Sequence, residues 1–132
     1  MTLYVCLDDR GGMCFGGRRQ SRDAALLADL AAGLPGVLTI DPFSEKLIAS
    51  VGIPYVLAEA DIPEDAHFFL ENRSPEQLLP HAESIVIYRW NRHYPSDVRW
   101  EGTPADFDFV LKETAEFPGK SHEKITKEVY VR

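Results

Sequence analysis

The stretch from residue 82 to residue 97 most constrains what this chain can fold into. It contains the β-branched run Ile85-Val86-Ile87 and then changes abruptly into Tyr88-Arg89-Trp90-Asn91-Arg92-His93-Tyr94. A short apolar run of this kind is typical of a strand that is covered on both faces. A buried strand that ends in a cationic, aromatic loop presents polar side chains from a rigid support, as many binding sites do. The alternative is a strand exit that arginines merely solvate, and the pattern alone leaves both interpretations open.

Composition restricts the class of protein. The 132 residues are 45% hydrophobic, which is enough for one domain, residues 1–132, with its own core. The apolar runs are far shorter than a bilayer span and no leader pattern is present, so we expect a cytoplasmic protein without a membrane partner. A formal net charge of −7 makes nucleic acid an unfavourable partner. The four histidines and two cysteines lack metal-ligand spacing, and no metal site is predicted.

The order of the segments predicts an α/β fold. Apolar runs predict strands at residues 3–7, 37–40, 53–58, 67–70 and 85–88. Helices are predicted after Ser21 as far as Leu34, at residues 41–47 and, from a capping-box pattern, at residues 74–79, whereas residues 13–20 are predicted to be an irregular loop. Residues 107–113 and 125–131 alternate like an antiparallel hairpin. We therefore expect a mostly parallel central sheet with an antiparallel C-terminal hairpin and helices on both faces.

Residues 68–97 carry a resemblance to the dihydrofolate reductase family. After a strand they contain, at the family's spacing and without a gap, Glu76, Gln77, Leu79, Pro80, Ala82, Tyr88 and Asp97. Ser121-His122 and the alternating strand to Arg132 resemble the family's last loop and last strand. The first strand, a glycine-containing loop and Asp23 at the start of the first long helix also fit, although this early part needs gaps. The resemblance implies a dihydrofolate reductase-like fold for the whole chain.

The resemblance also implies where a site would lie. Asp23 would occupy the position of the family's substrate-binding carboxylate, with His93 or His122 as further catalytic residues that exchange protons. Asp97 would bond the backbone of the loop after the first strand. Arginines that clamp a phosphate or carboxylate, amides that bond a ring edge and aromatic rings that stack on it would form the ligand site. The predicted ligand-binding residues are Arg18, Arg19, Gln20, Tyr88, Arg89, Trp90, Asn91, Arg92, Asp97 and Ser121.

Three departures from the family concern the cofactor. Where the family has two glycines beside the nicotinamide, this chain has Leu70-Glu71-Asn72, and where the family has Gly-Arg it has Ile40-Asp41. The region that binds adenosine in the family is shortened to residues 48–65. The resemblance implies NADPH, but these residues weaken its binding features and make reductase activity doubtful.

The sequence is compatible with three functions. The first is a protein that binds a small anionic heterocycle, a pterin or a nucleotide. The second is a phosphoester hydrolase or ribonuclease in which His93 or His122 is the general acid or base and Arg18, Arg89 or Arg92 stabilises phosphate charge. The zinc motif HxHxDH of ribonuclease Z is absent, so that enzyme's chemistry is not supported. The third is a non-catalytic interaction module that uses residues 89–94 as an interface.

Overall fold

Ten strands and two α-helices make up the structure, a computed structural model that describes all 132 residues. The strands are β1 (Thr2–Leu7), β2 (Gly12–Phe15), β3 (Arg18–Arg19), β4 (Leu38–Ile40), β5 (Tyr55–Leu57), β6 (His67–Leu70), β7 (Ser84–Arg89), β8 (Val98–Arg99), β9 (Val110–Phe117) and β10 (Ile125–Val131). The α-helices are α1 (Ala24–Gly33) and α2 (Glu45–Ser50), and 3₁₀ turns lie at Pro42–Ser44, Leu79–His81 and Pro104–Phe107. None of the helices has the length and apolarity needed to cross a bilayer.

Seven strands form the central sheet in the order β5-β4-β6-β1-β7-β10-β9. The pairings from β5 to β7 are all parallel, while β10 is antiparallel to both β7 and β9. The central strands β1 and β7 are buried on both faces. Their side chains are therefore apolar in a continuous run rather than at alternate positions. The structure confirms the predicted α/β fold, with its mostly parallel sheet and its antiparallel C-terminal hairpin.

The direction of the crossovers decides which face each connection covers. The chain moves from β1 to β4 through α1 and from β4 to β5 through α2, toward the same edge of the sheet. Right-handed crossovers in one direction place both helices on one face, and the opposite crossover from β6 to β7 places its connection on the other. That second connection is the 3₁₀ turn Leu79–His81 rather than an α-helix. The expected helices on both faces are thus two α-helices on one face and 3₁₀ turns on the other.

Two apolar clusters divide the core between these faces. We call the first the helix face; its core holds Tyr4, Leu26, Leu27, Leu30, Leu38, Ile40, Leu47, Ile48, Ile53, Phe69, Val86, Tyr88, Trp90 and Ile125. We call the second the turn face; its core holds Met1, Leu3, Val5, Leu7, Met13, Ala66, Phe68, Leu70, Leu79, Ala82, Ile85, Ile87, Trp100 and Phe109. Neighbouring residues of each strand fall into opposite clusters, as the strand period of two requires.

The predicted irregular loop at residues 13–20 is wrong. These residues form β2 and β3, which join β8 in a small sheet of order β3-β2-β8. The pairing of Phe15 with Arg18 leaves Gly16 and Gly17 as a two-residue turn, and both glycines have positive φ (58° and 73°). Such turns match the twist of a hairpin and favour glycine, so the Gly-Gly pair was a usable signal.

Element boundaries also differ from the prediction. Asp23, not Ser21, caps α1, because its carboxylate accepts hydrogen bonds from the first helical amides. The helix predicted at residues 74–79 is a turn that leads into Leu79–His81. The first strand of the terminal hairpin starts at Val110 rather than at residue 107, since Thr103 and Asp106 form a capping box that holds the preceding residues in a 3₁₀ turn.

Candidate functional site

The carboxyl ends of the parallel strands meet at one edge of the sheet. Connections from β1 and β6 leave this edge in opposite directions, which creates the crevice where α/β proteins commonly bind ligands. The segments that follow β1, β6 and β7 all lie here, and most of the predicted site residues belong to them. The fold therefore brings the predicted segments to one place, and the side-chain contacts decide what that place can do.

The cavity beside Asp23 is filled. It measures about 10 Å³, and among its lining residues are Cys6, Leu26, Leu27, Leu47, Phe69, Glu71 and Trp90. Ligand pockets for small molecules commonly span about 300–1,000 Å³. Side chains from both helices and from Trp90 therefore occupy the space that the resemblance implies for a substrate ring.

The carboxylate of Asp23 is the hub of this region. Its Oδ1 accepts hydrogen bonds from the backbone N–H of Ala25 (2.9 Å) and Lys120 (3.0 Å), and its Oδ2 accepts from Ser121 N–H (2.7 Å) and from His122 Nδ1 (3.1 Å). The residue is 1% exposed. Burial raises the pKa of this carboxyl, but the hydrogen bonds outweigh that effect and hold the pKa well below its usual range. Asp23 thus anchors the last loop to the start of α1.

His122 continues this network toward the surface. The residue is 5% exposed, its ring stacks on Trp90 with 4.5 Å between ring centroids, and its Nε2 is hydrogen-bonded to the hydroxyl of Tyr94 (2.8 Å). A guanidinium nitrogen of Arg92 lies 3.4 Å from the same hydroxyl. These contacts form a continuous series of hydrogen bonds from Asp23 through His122 and Tyr94 to Arg92. Both ring nitrogens are used inside the protein.

A second buried carboxylate, Asp8, joins the loops that follow β1 and β7. Its oxygens accept from the backbone N–H of Arg10 (2.8 Å), Gly12 (2.7 Å) and Tyr94 (3.1 Å) and from the side-chain amide of Gln20 (3.1 Å). These bonds lower the pKa of Asp8 despite the opposing effect of its burial. Gly12 permits this packing, because a Cβ there would lie 2.7 Å from Asp8 Oδ2. Asp8 therefore links the two loops through hydrogen bonds.

Two arginine–carboxylate pairs lie at the end of β6, one linking it to β3 and the other linking it to the end of β4. Arg19 donates from two nitrogens to Glu71 (2.9 and 3.0 Å), and Arg73 donates in the same way to Asp41 (2.9 and 3.1 Å). Glu71 also raises the pKa of the Cys6 thiol, in addition to the larger effect of burial. Glu71 and Asp41 stand where the family has backbone glycines and a phosphate-binding arginine. A pyrophosphate in this crevice would meet two carboxylates and would have to break paired charges.

Successive side chains of β7 point to opposite faces of the sheet, so the predicted site residues are divided between these faces. Tyr88 and Trp90 point into the helix face, and the Tyr88 hydroxyl donates to Asp29 (2.6 Å). Burial, followed by the contact with Asp29, raises the pKa of Tyr88 far above its usual value. Arg89 points to the turn face, where its Nε donates to Glu128 (2.7 Å). Arg89 therefore does not share a site with Asp23 and His122.

A wide cleft lies beside Arg89 on the turn face, and we call it the arginine cleft. Its volume is about 540 Å³, and it is lined by Leu7, Arg10, Gly11, Ile87, Arg89, Trp100, Glu101, Gly102, Thr103, Pro104 and Tyr130. Trp100 is 2% exposed, and its buried indole N–H has no hydrogen-bond partner. An unpaired buried donor is unusual in folded proteins and calls for an explanation such as a ligand.

The architecture is similar to that of a solved enzyme. A dihydrofolate reductase from Enterococcus faecalis, solved in complex with NADP(H) and RAB-propyl, matches with a TM-score of 0.71. The match covers 99% of this chain and 95% of that one, at 10% sequence identity. This chain has a dihydrofolate reductase-like fold. No family model matches the sequence, and no curated protein does either.

The remaining predicted residues of this dihydrofolate reductase-like chain are placed as follows. Asp97 accepts from the backbone N–H of Gly16 (3.0 Å), which is the contact with the first loop that the resemblance implies. Asn91 adopts a left-handed conformation (φ 57°) and donates its amide to Thr126 Oγ1 (2.9 Å). The Arg18 side chain is exposed, and His93 is 54% exposed and 3.9 Å from Asp8. Ser121 contributes its backbone N–H to the hub at Asp23.

Sequence reasoning missed part of the arginine cleft. Arg10 and Trp100 were not among the predicted site residues, and Tyr130 was assigned only to a terminal strand. Arg10 carried a usable signal, since it lies in the turn just after a predicted strand of a parallel sheet. The sequence carried no signal for the unpaired N–H of Trp100, because that feature depends on tertiary packing.

Proposed function

We propose that this dihydrofolate reductase-like chain binds a small anionic heterocycle, such as a pterin or a nucleotide, in the arginine cleft and does not reduce it. The supporting observation is the contrast between two cavities. The arginine cleft measures about 540 Å³, whereas the cavity beside Asp23 measures about 10 Å³, enough for about one water molecule. Only the first has the size of a small-molecule site.

The charged groups of the cleft favour an anion. The guanidinium of Arg89 donates from Nε to Glu128 (2.7 Å) and also contacts Tyr130, and its side chain still lines the cleft, where it can bind a further anion. Arg10 is exposed and forms no ion pair with the protein. Guanidinium groups bind phosphate and carboxylate in a bidentate manner, and these bonds are among the strongest in proteins. The acidic residue Glu101 at the rim limits how much negative charge the cleft accepts.

The floor of the cleft favours a flat ring. Leu7 and Ile87 provide apolar contact, and both are buried. The unpaired indole N–H of Trp100 costs the free protein about 1–3 kcal/mol. A ring carbonyl or ring nitrogen of a ligand would accept this hydrogen bond once the indole edge, which Gly102 and its neighbours enclose in the free protein, is uncovered. A heterocycle with an acceptor on its edge and an anionic substituent meets all of these groups.

The crevice beside Glu71 and Asp41 does not favour the binding of NADPH, which a reductase of this fold would need. The structural neighbour was solved with NADP(H). At 10% sequence identity, its similarity to this chain shows the fold alone. In this chain Glu71 and Asp41 are held in bidentate pairs across the crevice. Binding a dinucleotide there would replace favourable ion pairs by contacts between like charges.

Calorimetric titration with GMP, guanosine and NADPH tests this proposal. We expect GMP to bind more tightly than guanosine, and we expect no saturable binding of NADPH. Arg89→Gln should weaken GMP binding about tenfold, because a charged hydrogen bond is worth about 1.5–3 kcal/mol. Lys112→Gln, which removes an exposed cation of β9, is the matched control and should leave the affinity unchanged.

Two outcomes would refute the proposal. Equal affinities for GMP and guanosine would show that the arginines do not recognise the anion. Equal losses in Arg89→Gln and Lys112→Gln would show that only net charge matters. Trp100→Phe, which keeps an aromatic ring but removes the N–H, should lower the affinity for both ligands, since guanosine carries the same ring acceptors.

The other two candidate functions are less well supported. A hydrolase needs a free histidine beside the bound phosphate. Both nitrogens of His122 are bonded to protein and the ring is buried, whereas His93 is exposed but is not among the residues that line the arginine cleft. An interaction module would present Trp90 as an exposed anchor, but Trp90 is 4% exposed and stacked on His122.

A further inference from the structure

A second large cavity lies on the turn face, away from the arginine cleft. After β5 the chain returns to β6 through residues 58–66, which contain no helix or strand. This connection covers the turn face of β4 and β5 only loosely and leaves a cavity of about 600 Å³. We call it the acidic cavity. Its size is that of a site for a small organic molecule.

The lining of the acidic cavity combines apolar contact with negative charge. Val56, Ala58 and Ile62 contribute apolar surface, and Val56 is 48% exposed. Three carboxylates, those of Glu59, Asp61 and Asp65, also line the cavity, and none of them forms an ion pair with the protein. Fourteen residues line the cavity, and no lysine or arginine is among them. The only imidazole is that of His67, whose Nδ1 is bonded to the hydroxyl of Tyr4 (2.8 Å).

Thr39 provides a polar group inside the cavity. It lies in the middle of β4 between two residues of the helix face, so its side chain belongs to the turn face. The residue is 6% exposed and lines the cavity, and its hydroxyl makes no hydrogen bond with the protein. Because this hydroxyl has no protein partner and is not fully enclosed by the protein, it is available to a molecule bound in the cavity.

We propose that the acidic cavity binds an organic cation with an apolar body, such as an alkylammonium or arylalkylammonium ion. The apolar part would contact Val56 and Ile62, and the ammonium group would be attracted by the three unpaired carboxylates. The hydroxyl of Thr39 would accept a hydrogen bond from the ammonium group. This site is independent of the arginine cleft, because it lies beside different strands and selects the opposite charge.

Three probes of similar size and different charge test the proposal: 4-phenylbutylammonium, 4-phenylbutanol and 5-phenylpentanoate. Calorimetry measures the affinities, and amide chemical shifts locate the binding. We expect the ammonium ion to bind most tightly and the carboxylate least. The shifts it causes should centre on Thr39, Val56 and Ala58, and its affinity should fall as salt is added.

A charge-removal variant and its matched control complete the experiment. Glu59→Gln combined with Asp61→Asn removes two exposed carboxylates of the cavity, and we expect the affinity for the ammonium ion to fall about fivefold. Glu113→Gln combined with Glu116→Gln removes two exposed carboxylates of β9 and should leave the affinity unchanged.

Several outcomes would overturn the proposal. Equal affinities for the ammonium ion and the alcohol would mean that the cavity binds apolar molecules only. Equal losses in the two double variants would mean that the cation responds to the net charge of the protein. Shifts centred on Arg89 or Trp100 would place binding in the arginine cleft. The first two results do not bear on the anion proposal, which depends on GMP and Arg89, whereas the third would count against both proposals.

Discussion

The strongest prediction concerns Asp23→Ala, since the structure makes this residue a hub rather than a free substrate-binding carboxylate. Its two oxygens accept from Ala25, Leu26, Lys120 and Ser121 backbone N–H groups and from His122 Nδ1. Alanine removes every one of these acceptors at a position that is 1% exposed. The loop that precedes β10 would then keep only the hydrogen bond from the Ser121 hydroxyl to Arg22 O (3.2 Å) at the start of α1.

The size of the effect follows from these contacts. Losing a helix N-cap costs about 0.5–2 kcal/mol. Each buried donor left without a partner costs about 1–3 kcal/mol, although water can reach part of the exposed loop at Lys120 and Ser121. We therefore expect Asp23→Ala to lower the free energy of unfolding by about 4 kcal/mol. Asp23→Asn retains one acceptor oxygen and should cost about half as much.

Urea denaturation monitored by circular dichroism measures this loss, and its pH dependence provides a second check. The pKa of Asp23 is lower in the folded state than in the unfolded chain, where it is about 3.9. Its contribution to stability is therefore complete above that value and is lost as the pH falls toward the folded pKa. Below about pH 4 the wild type should lose stability with falling pH more steeply than Asp23→Ala.

Two results would refute the reasoning about Asp23. One is a loss of less than about 1 kcal/mol in Asp23→Ala, which would mean that the backbone donors do not depend on the carboxylate. The other is an identical acid dependence of wild type and variant, which would mean that the carboxylate has the same pKa in both states. Either result would make Asp23 available for the ligand role that the resemblance implies.

Two further predictions concern the same edge of the sheet. Gly119→Ala should destabilise the protein by about 1–3 kcal/mol in urea, because its Cβ would lie 2.6 Å from Asp23 Oδ2; Gly33→Ala, where a Cβ meets open space, is the control and should not destabilise it. Glu71→Gln should cost about 1–3 kcal/mol through the loss of its bidentate bond with Arg19, and it should lower the pKa of Cys6, measured by the pH dependence of thiol alkylation. An unchanged Cys6 pKa would contradict the assigned effect of Glu71.

Local pattern and resemblance predicted most of the sheet. The apolar runs at β1, β6 and β7 are short, continuous and bounded by turn residues, so each carries its own signal. The hairpin β2–β3 was missed because β3 is two arginines, which have no apolar alternation to mark a strand. The start of α1 was misplaced because Ser21 and Asp23 are both good caps, and the choice depends on tertiary contacts with the last loop.

The candidate site was harder to predict than the fold. Resemblance grouped Tyr88, Arg89 and Trp90 together, but a strand period of two sends Arg89 to the opposite face, and this could have been foreseen. The filling of the cavity beside Asp23 could not have been foreseen from the sequence, because it depends on how Leu27 and Leu47 from two helices pack together. Volume is a property of the packed core, and no local motif reports it.

The lengths of the connections explain why the arginine cleft and the acidic cavity lie on the turn face. Right-handed crossovers place α1 and α2 on the same face, and the leucines of these helices fill the helix-face cavity. The connections on the opposite face are 3₁₀ turns and the irregular residues 58–66, which are too short to cover the sheet with a helix. The uncovered areas are the arginine cleft and the acidic cavity. Shortened connections therefore leave part of the turn face uncovered, whereas the two helices cover the helix face.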